Sequence, residues 1–227
     1  MRLVIAIVLV VVLSACQSEP KKGEAEDMNM NQSLIEHAEQ GNTERVKELL
    51  QAGAAINATD EAGRTAVMAA AYNNHIETVQ LLIEEGADID IRDRNLNNLF
   101  LYAGAEGQLE ILRLAIAAGA DPTLTNRFGG TALIPASERG HVEIVRELLT
   151  RTDVDVNHVN NLDWTALLEA IILGDGGERH QEIVKLLIEH GADIHLADGN
   201  GVSPLRHAQE RGFKEIERIL LEAAGSR

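Results

Sequence analysis

The chain has 227 residues, 45% of them hydrophobic and 25% charged, which argues against disorder, yet its six aromatics are fewer than a single-core fold of this length usually packs. An elongated stack of small Ala- and Leu-rich units fits better. With 20 basic against 36 acidic residues and a net charge of −16, no basic tract is left to neutralise phosphates, so nucleic-acid binding is not expected.

The chain opens with Arg2 and an unbroken apolar run from Leu3 to Leu13. That is the short basic start and ~7–15-residue apolar core of an export signal. A membrane-spanning helix needs ~20 apolar residues, and the polar run from Gln17 arrives too early for that. The run closes on Leu13-Ser14-Ala15-Cys16, which resembles the lipobox of bacterial lipoproteins. The resemblance implies that residues 1–15 are a signal peptide and that Cys16 becomes the acylated N-terminus. It also implies more than one acyl chain, since a single chain anchors only reversibly. Gln17 rather than Asp follows the cysteine, which implies the outer membrane facing the periplasm in a Gram-negative cell. In a Gram-positive cell the same anchor sits on the outer face of the cell membrane. The other reading of Cys16 is a buried thiol in an anchor helix. As the chain's only cysteine, it excludes an intramolecular disulfide framework and any multi-cysteine metal site. Residues 16–30 lack apolar periodicity and are rich in Ser, Glu, Lys and Gly, the composition of a flexible tether.

From residue 31 the text repeats. Asp60, Asp93, Asn126, Asn160 and Asp198 recur at steps of 33, 33, 34 and 38 residues. Gly63-Arg64-Thr65-Ala66 answers Gly129-Gly130-Thr131-Ala132, and Leu81-Leu82-Ile83-Glu84-Glu85-Gly86-Ala87-Asp88 answers Leu186-Leu187-Ile188-Glu189-His190-Gly191-Ala192-Asp193. This pattern resembles the ankyrin repeat, so the whole looks like a bacterial lipoprotein carrying an ankyrin-repeat domain. The resemblance implies an all-α repeat solenoid of about six helix-turn-helix units joined by fingers or hairpins, near 31–59, 60–92, 93–125, 126–159, 160–197 and 198–224, within a domain spanning 31–227. Read as local chemistry, Thr65, Thr131, Thr165 and Ser203 stand where helix N-caps belong, and Pro204 takes a first helical position. Gly53, Gly86, Gly119 and Gly191 supply the left-handed residue that ends each second helix. No unit buries its apolar face alone, so the stack must be contiguous.

Several units depart from the family. Its Thr-Pro-Leu-His becomes Thr65-Ala66-Val67-Met68, Asn98-Leu99-Phe100-Leu101, Thr131-Ala132-Leu133-Ile134 and Thr165-Ala166-Leu167-Leu168. The histidine that normally knits units is absent there, and apolar packing is expected to replace its relay. Leu96 stands where a finger glycine belongs, leaving the shape of that finger open. An extra residue falls near Thr152, and Gly174–Arg179 is a larger insertion whose three glycines suggest flexibility. Asp175, Glu178 and Arg179 are candidate contacts there, with neutral loop growth the alternative.

Chemistry is hard to find. There is no nucleophile elbow, phosphate-binding glycine loop or paired-histidine zinc motif. His75, His141 and His180 occupy a structural position at the start of the second helices, and the carboxylates fall on helix faces and turns expected to be solvated. The expected protein is not an enzyme and uses no cofactor or metal. In families of this appearance, partners dock on finger tips and on the concave face of the first helices. Carried over, those positions are Arg64 and Tyr72, Arg94 and Asn95, Arg127 and Phe128, and Leu162 and Trp164. Trp164 is the only tryptophan, placed either as a binding anchor or packed on the next finger. The expected function is a non-enzymatic, lipid-anchored module that binds an unidentified protein partner in the cell envelope, as inhibitor, immunity protein or scaffold. The alternative is a structural envelope spacer without a discrete hot spot.

Overall fold

The computed structural model describes residues 22–225, which form twelve helices and, among the described residues, no strand. They pair in chain order as α1 (Lys22–Glu39) with α2 (Thr43–Gln51), α3 (Ala66–Tyr72) with α4 (Ile76–Glu84), and α5 (Leu99–Glu106) with α6 (Leu109–Ala117). Then follow α7 (Leu133–Glu138) with α8 (Val142–Arg151), α9 (Ala166–Ile172) with α10 (Glu178–Glu189), and α11 (Pro204–Glu210) with α12 (Lys214–Gly225). Each odd-numbered helix packs on the next odd-numbered one and each even on even, giving two helical layers. The result is the all-α solenoid of helix-turn-helix units that the repeat implies. The expected signal peptide, Cys16 and the first part of the expected tether lie outside the described residues. The rest of the expected tether is helical instead, because α1 begins at Lys22. Glu24, Ala25 and Glu26 are good helix formers, as are Met28 and Met30, and they outweigh Gly23 and the weaker Asp27, Asn29 and Asn31.

Most of these helices are shorter than the ~12–15 residues at which isolated helices become even marginally stable, so packing must hold them. In α3, Ala66 through Ala71 are all buried, since a first helix has neighbours before and behind it as well as its own second helix. Small side chains make that close stacking possible. The second helices bury one stripe, such as Val79 and Leu82 or Ile183, Val184 and Leu187, into a single continuous core. Each fully buried Val, Leu or Ile contributes about 1.5–3 kcal/mol.

The Asp and Asn residues that mark the period build the fingers. Oδ1 of Asp60 accepts from the amides of Ala62 and Arg64, Asp93 from Asn95 and Asn97, Asn126 from Phe128 and Gly130, Asn160 from Leu162 and Trp164, and Asp198 from Asn200 and Val202. One side-chain oxygen thus satisfies two loop amides in every finger. The finger of the third unit keeps the same shape without its glycine: Leu96 takes φ 61°, and the Arg92 guanidinium bonds its carbonyl. Neighbouring fingers are tied by the amides of Arg94 and Asn161, which donate to the carbonyls of Ala62 and Phe128.

Three expectations need correction. Thr165 and Ser203 do cap α9 and α11, but the hydroxyls of Thr65 and Thr131 are buried without a partner. The inter-unit relay is not replaced by apolar packing alone; it moves to the start of the second helices. His75 Nε2 lies 3.0 Å from the Glu39 carbonyl, Gln108 Nε2 donates to Ala71 O at 2.7 Å, and His180 Nε2 lies 2.9 Å from Glu138 O. Nor is the insertion a flexible loop. Gly174 is buried, its carbonyl accepts from Arg211, and a Cβ there would collide with the Ala170 carbonyl and the His180 ring. Gly174 is needed for close approach to α9 and His180, and Gly176 for close approach to Phe213. The extra residue near Thr152 is absorbed at the end of α8, where the Thr152 hydroxyl donates to Leu148 O at 2.6 Å.

Candidate functional site

The odd-numbered helices and the fingers share one face, and between the third, fourth and fifth units that face deepens into a groove of about 380 Å³. Its walls come from finger residues Asn95, Arg127, Phe128 and Leu162 and from Leu173, just past the end of α9, while Tyr102, Glu138 and Glu169 rise from the helices below. Phe128 and Leu162 take equivalent places on adjacent fingers and are each 52% exposed. They point outward for a local reason: the third finger residue follows the turn formed on Asn126 or Asn160, with its amide committed inward to the Asx oxygen.

Four of the eight finger and helix positions named from the sequence therefore line the groove. The other four do not. Arg64 is engaged by Asp60 at 2.8 Å and Glu39 at 2.9 Å and lies 5.6 Å from the Tyr72 ring. Tyr72 donates to Asp93 at 2.5 Å and stacks on Tyr102 with centroids 4.1 Å apart. Burial, then that bond to a carboxylate, pushes the Tyr72 phenol up to about 12. Arg94 is exposed at the tip of its finger, and Trp164 is half-buried at the base of the next but one. In the insertion, Asp175 Oδ1 accepts from the Gly177 amide at 2.8 Å and lies 2.8 Å from His180 Nδ1. Those two bonds hold the Asp175 carboxyl below its ordinary range, the amide contributing most. Glu178 and Arg179 are exposed on the first turn of α10.

Sequence reasoning missed Glu169. It is 5% exposed, and its Oε1 accepts from Asn160 Nδ2 at 2.7 Å. Burial first, and the nearby charge of Glu138 second, raise its carboxyl to about 7, against the lowering effect of the Asn160 bond. The available signal was a lone charge inside the apolar stretch Ala166-Leu167-Leu168-Glu169-Ala170-Ile171. The groove's arginines are held by their own neighbours. Arg139 bonds Glu106 at 2.6 Å and the Ala105 carbonyl at 2.7 Å, and Arg127 donates to Asn95 at 3.0 Å while lying 4.7 Å above the Phe128 ring. Among the described residues no group of three or more His, Cys, Asp or Glu is placed to hold a metal ion, and no helix is long and apolar enough to cross a membrane. An open, half-apolar groove of this kind can hold side chains of another molecule.

Comparison with known proteins agrees with this architecture. Residues 9–98 and 99–198 match a family model described as ankyrin repeats in three copies. A 78-residue segment, 34% of the chain, is 54% identical to YahD of Escherichia coli strain K12, named as an ankyrin repeat protein. A 77-residue segment is 36% identical to protein phosphatase 1 regulatory subunit 27 of Mus musculus. These matches span 39% and 46% of the two relatives' own lengths. Among solved structures, an ankyrin repeat domain from Acinetobacter baumannii AYE superposes with a TM-score of 0.82 at 51% identity, covering 85% of this chain and 97% of that one.

Proposed function

This chain belongs to the ankyrin-repeat family, and from that premise we propose that it is a lipid-anchored adaptor whose finger-and-helix face holds a protein partner in a bacterial cell envelope. Ankyrin repeats generally mediate protein–protein interaction and are typically not enzymes. The observation that carries the choice of face is the pair Phe128 and Leu162, half-exposed at equivalent positions of adjacent fingers beside the groove. Adjoining exposed apolar side chains mark a surface that another molecule can cover, and the arginine beside them, Arg127, is a residue type enriched at interface hot spots. A relative named as a regulatory subunit fits a role in which the chain acts by holding another protein. The lipid anchor rests on Leu13-Ser14-Ala15-Cys16. An inhibitor or immunity protein and a scaffold are both forms of this role.

The test is capture from envelopes with the lipidated protein as bait. Phe128→Ala and Leu162→Ser should each weaken partner capture by ~2 kcal/mol or more, the hot-spot threshold, with melting nearly unchanged because both side chains are half-exposed. Folded variants that capture at full strength would move the site elsewhere. Mass spectrometry of the membrane-bound protein should find lipid on Cys16, and Cys16→Ala should release or stall the chain; an intact Met1 on the membrane-bound form would remove the anchor.

A further inference from the structure

The floor of the groove carries two carboxylates that, among the described residues, form no ion pair. Glu169, on α9, is bonded by an amide, and Glu138, at the end of α7, lies near enough for its charge to oppose that of Glu169. The groove's own arginines are turned to other partners, Arg139 to Glu106 and Arg127 to Asn95. Above this floor stand Phe128, Leu162 and Leu173, exposed by 52%, 52% and 49%. A charged floor under apolar walls is the complement of one kind of group. It suits a long alkyl stem ending in a cation, the form in which lysine and arginine bury their stems while keeping the head paired.

We propose that the groove is a socket for one basic side chain of a protein partner, its stem between Phe128, Leu162 and Leu173 and its ammonium or guanidinium head on Glu169 and Glu138. This deepens the protein-binding reading and rests on it. A buried carboxylate without a counter-charge is costly, so a cation that arrives with the partner removes a penalty already present in the free protein. Burial holds the Glu169 acid up at about 7, as expected for a charge lacking that compensation. The net charge of −16 steers basic partners towards the chain and acidic ones away. The head is organic rather than a metal ion, because the floor offers two carboxylates and no third ligand of its kind.

The experiment is an NMR titration of the isotopically labelled full chain with three synthetic peptides, acetyl-Leu-X-Leu-amide with X as lysine, norleucine or glutamate. The lysine peptide should shift the amides of Leu162, Glu169 and Leu173 and bind about tenfold more tightly than the norleucine peptide. The glutamate peptide should not bind there. Glu169→Gln should abolish the preference for lysine over norleucine, and Glu138→Gln should reduce it, with circular dichroism reporting that both variants fold. Equal binding of lysine and norleucine peptides, a preference that survives Glu169→Gln, or shifts confined to other surfaces would overturn the socket. If Phe128→Ala and Leu162→Ser weaken capture of the natural partner while the lysine peptide shows no preference, the face stands and the socket alone is wrong. If those variants leave capture intact, the face and the socket fall together.

Discussion

At position 160 the finger carries Asn where positions 60, 93 and 198 carry Asp, and this difference determines how Glu169 can be accommodated. The Asn160 oxygen serves the finger amides, which leaves its Nδ2 free to donate to Glu169. An Asp at 160 would set two carboxylates against each other. In the last unit the same nine-residue spacing pairs Asp198 with His207 at 2.9 Å, an acid with a base. Even with its amide, Glu169 is held as an acid up to about 7, against an ordinary 4.5, chiefly by burial. A raised carboxylate pKa means the folded chain binds the extra proton, so the cost of the charge is absent below pH 4.5, grows as pH rises to about 7, and is fully present above it. Glu169→Gln should therefore raise stability by ~2 kcal/mol at pH 8, discounted from ~1.4 kcal/mol per pK unit because the groove is open to water, and change little at pH 4. Thermal unfolding at the two pH values checks this, and an equal shift at both would show that ionisation is not the cause. Leu96 is the second residue whose setting sequence left open. It occupies the left-handed region at φ 61° with its side chain 44% exposed, so it is strained and gains little from burial. Leu96→Gly should stabilise by about 1 kcal/mol, read from denaturant midpoints, since the strain of an L-residue there is ~1–2 kcal/mol and glycine's entropy offsets part of it.

At the scale of elements, what sequence made legible was whatever depends on one residue's own backbone chemistry. The glycines at 53, 86, 119 and 191 end their helices at φ between 84° and 98°, and the Asp or Asn register builds all five fingers. What sequence did not reveal depends on neighbours in space. Thr65 has the same place in its unit as Thr165, yet only Thr165 turns its oxygen to the helix amide. Three glycines within six residues suggest flexibility in the insertion; in the structure the His180 ring closes on Gly174 and Phe213 of the last unit on Gly176. The groove itself arises where the units stack; the repeat register places Asn95, Arg127, Phe128 and Leu162 along it, but no linear pattern marks the depth between them. Two glycine substitutions separate conformation from space. Gly53→Ala meets nothing within 4 Å and should cost about 1 kcal/mol, the strain of its positive φ alone. Gly174→Ala meets the Ala170 carbonyl and should cost ~2–3 kcal/mol, the range of an overpacked site. Equal midpoints for the two variants would show the insertion to be looser than described.

Among the described residues the core is one continuous cluster from Leu34 to Leu220, and the helices of each unit pack chiefly on those of the units beside it. Stability in such a stack is a sum of weak units and the interfaces between them. The junction between the third and fourth units shows what one interface contains. Helix α5 packs on α7 and α6 on α8, Gly104 sits so close to Ala132 that a Cβ would come within 2.9 Å of its Cβ, and Arg113 bonds Glu147 at 2.7 Å across the second helices. The Arg92 guanidinium also reaches the Thr125 carbonyl, fastening the finger of the third unit to the end of that unit. Dividing the chain before Asn126 removes that interface from both halves at once and exposes the apolar faces of α5 to α8. Neither new end has the polar surface that α12 presents through Lys214, Glu215, Glu217 and Arg218. Each half should thus melt at least ~10 °C below the intact chain, since ~1 kcal/mol moves the midpoint of a ~100-residue domain by ~4–8 °C and an interface of this size contributes several times that. Mixing the halves should recover part of the loss in proportion to concentration, because the interface then forms between molecules. Scanning calorimetry of the intact chain should show one transition. Halves that each melt where the whole does would mean two independent domains meeting at Asn126, and a groove spanning the third to fifth units would then lie across their boundary.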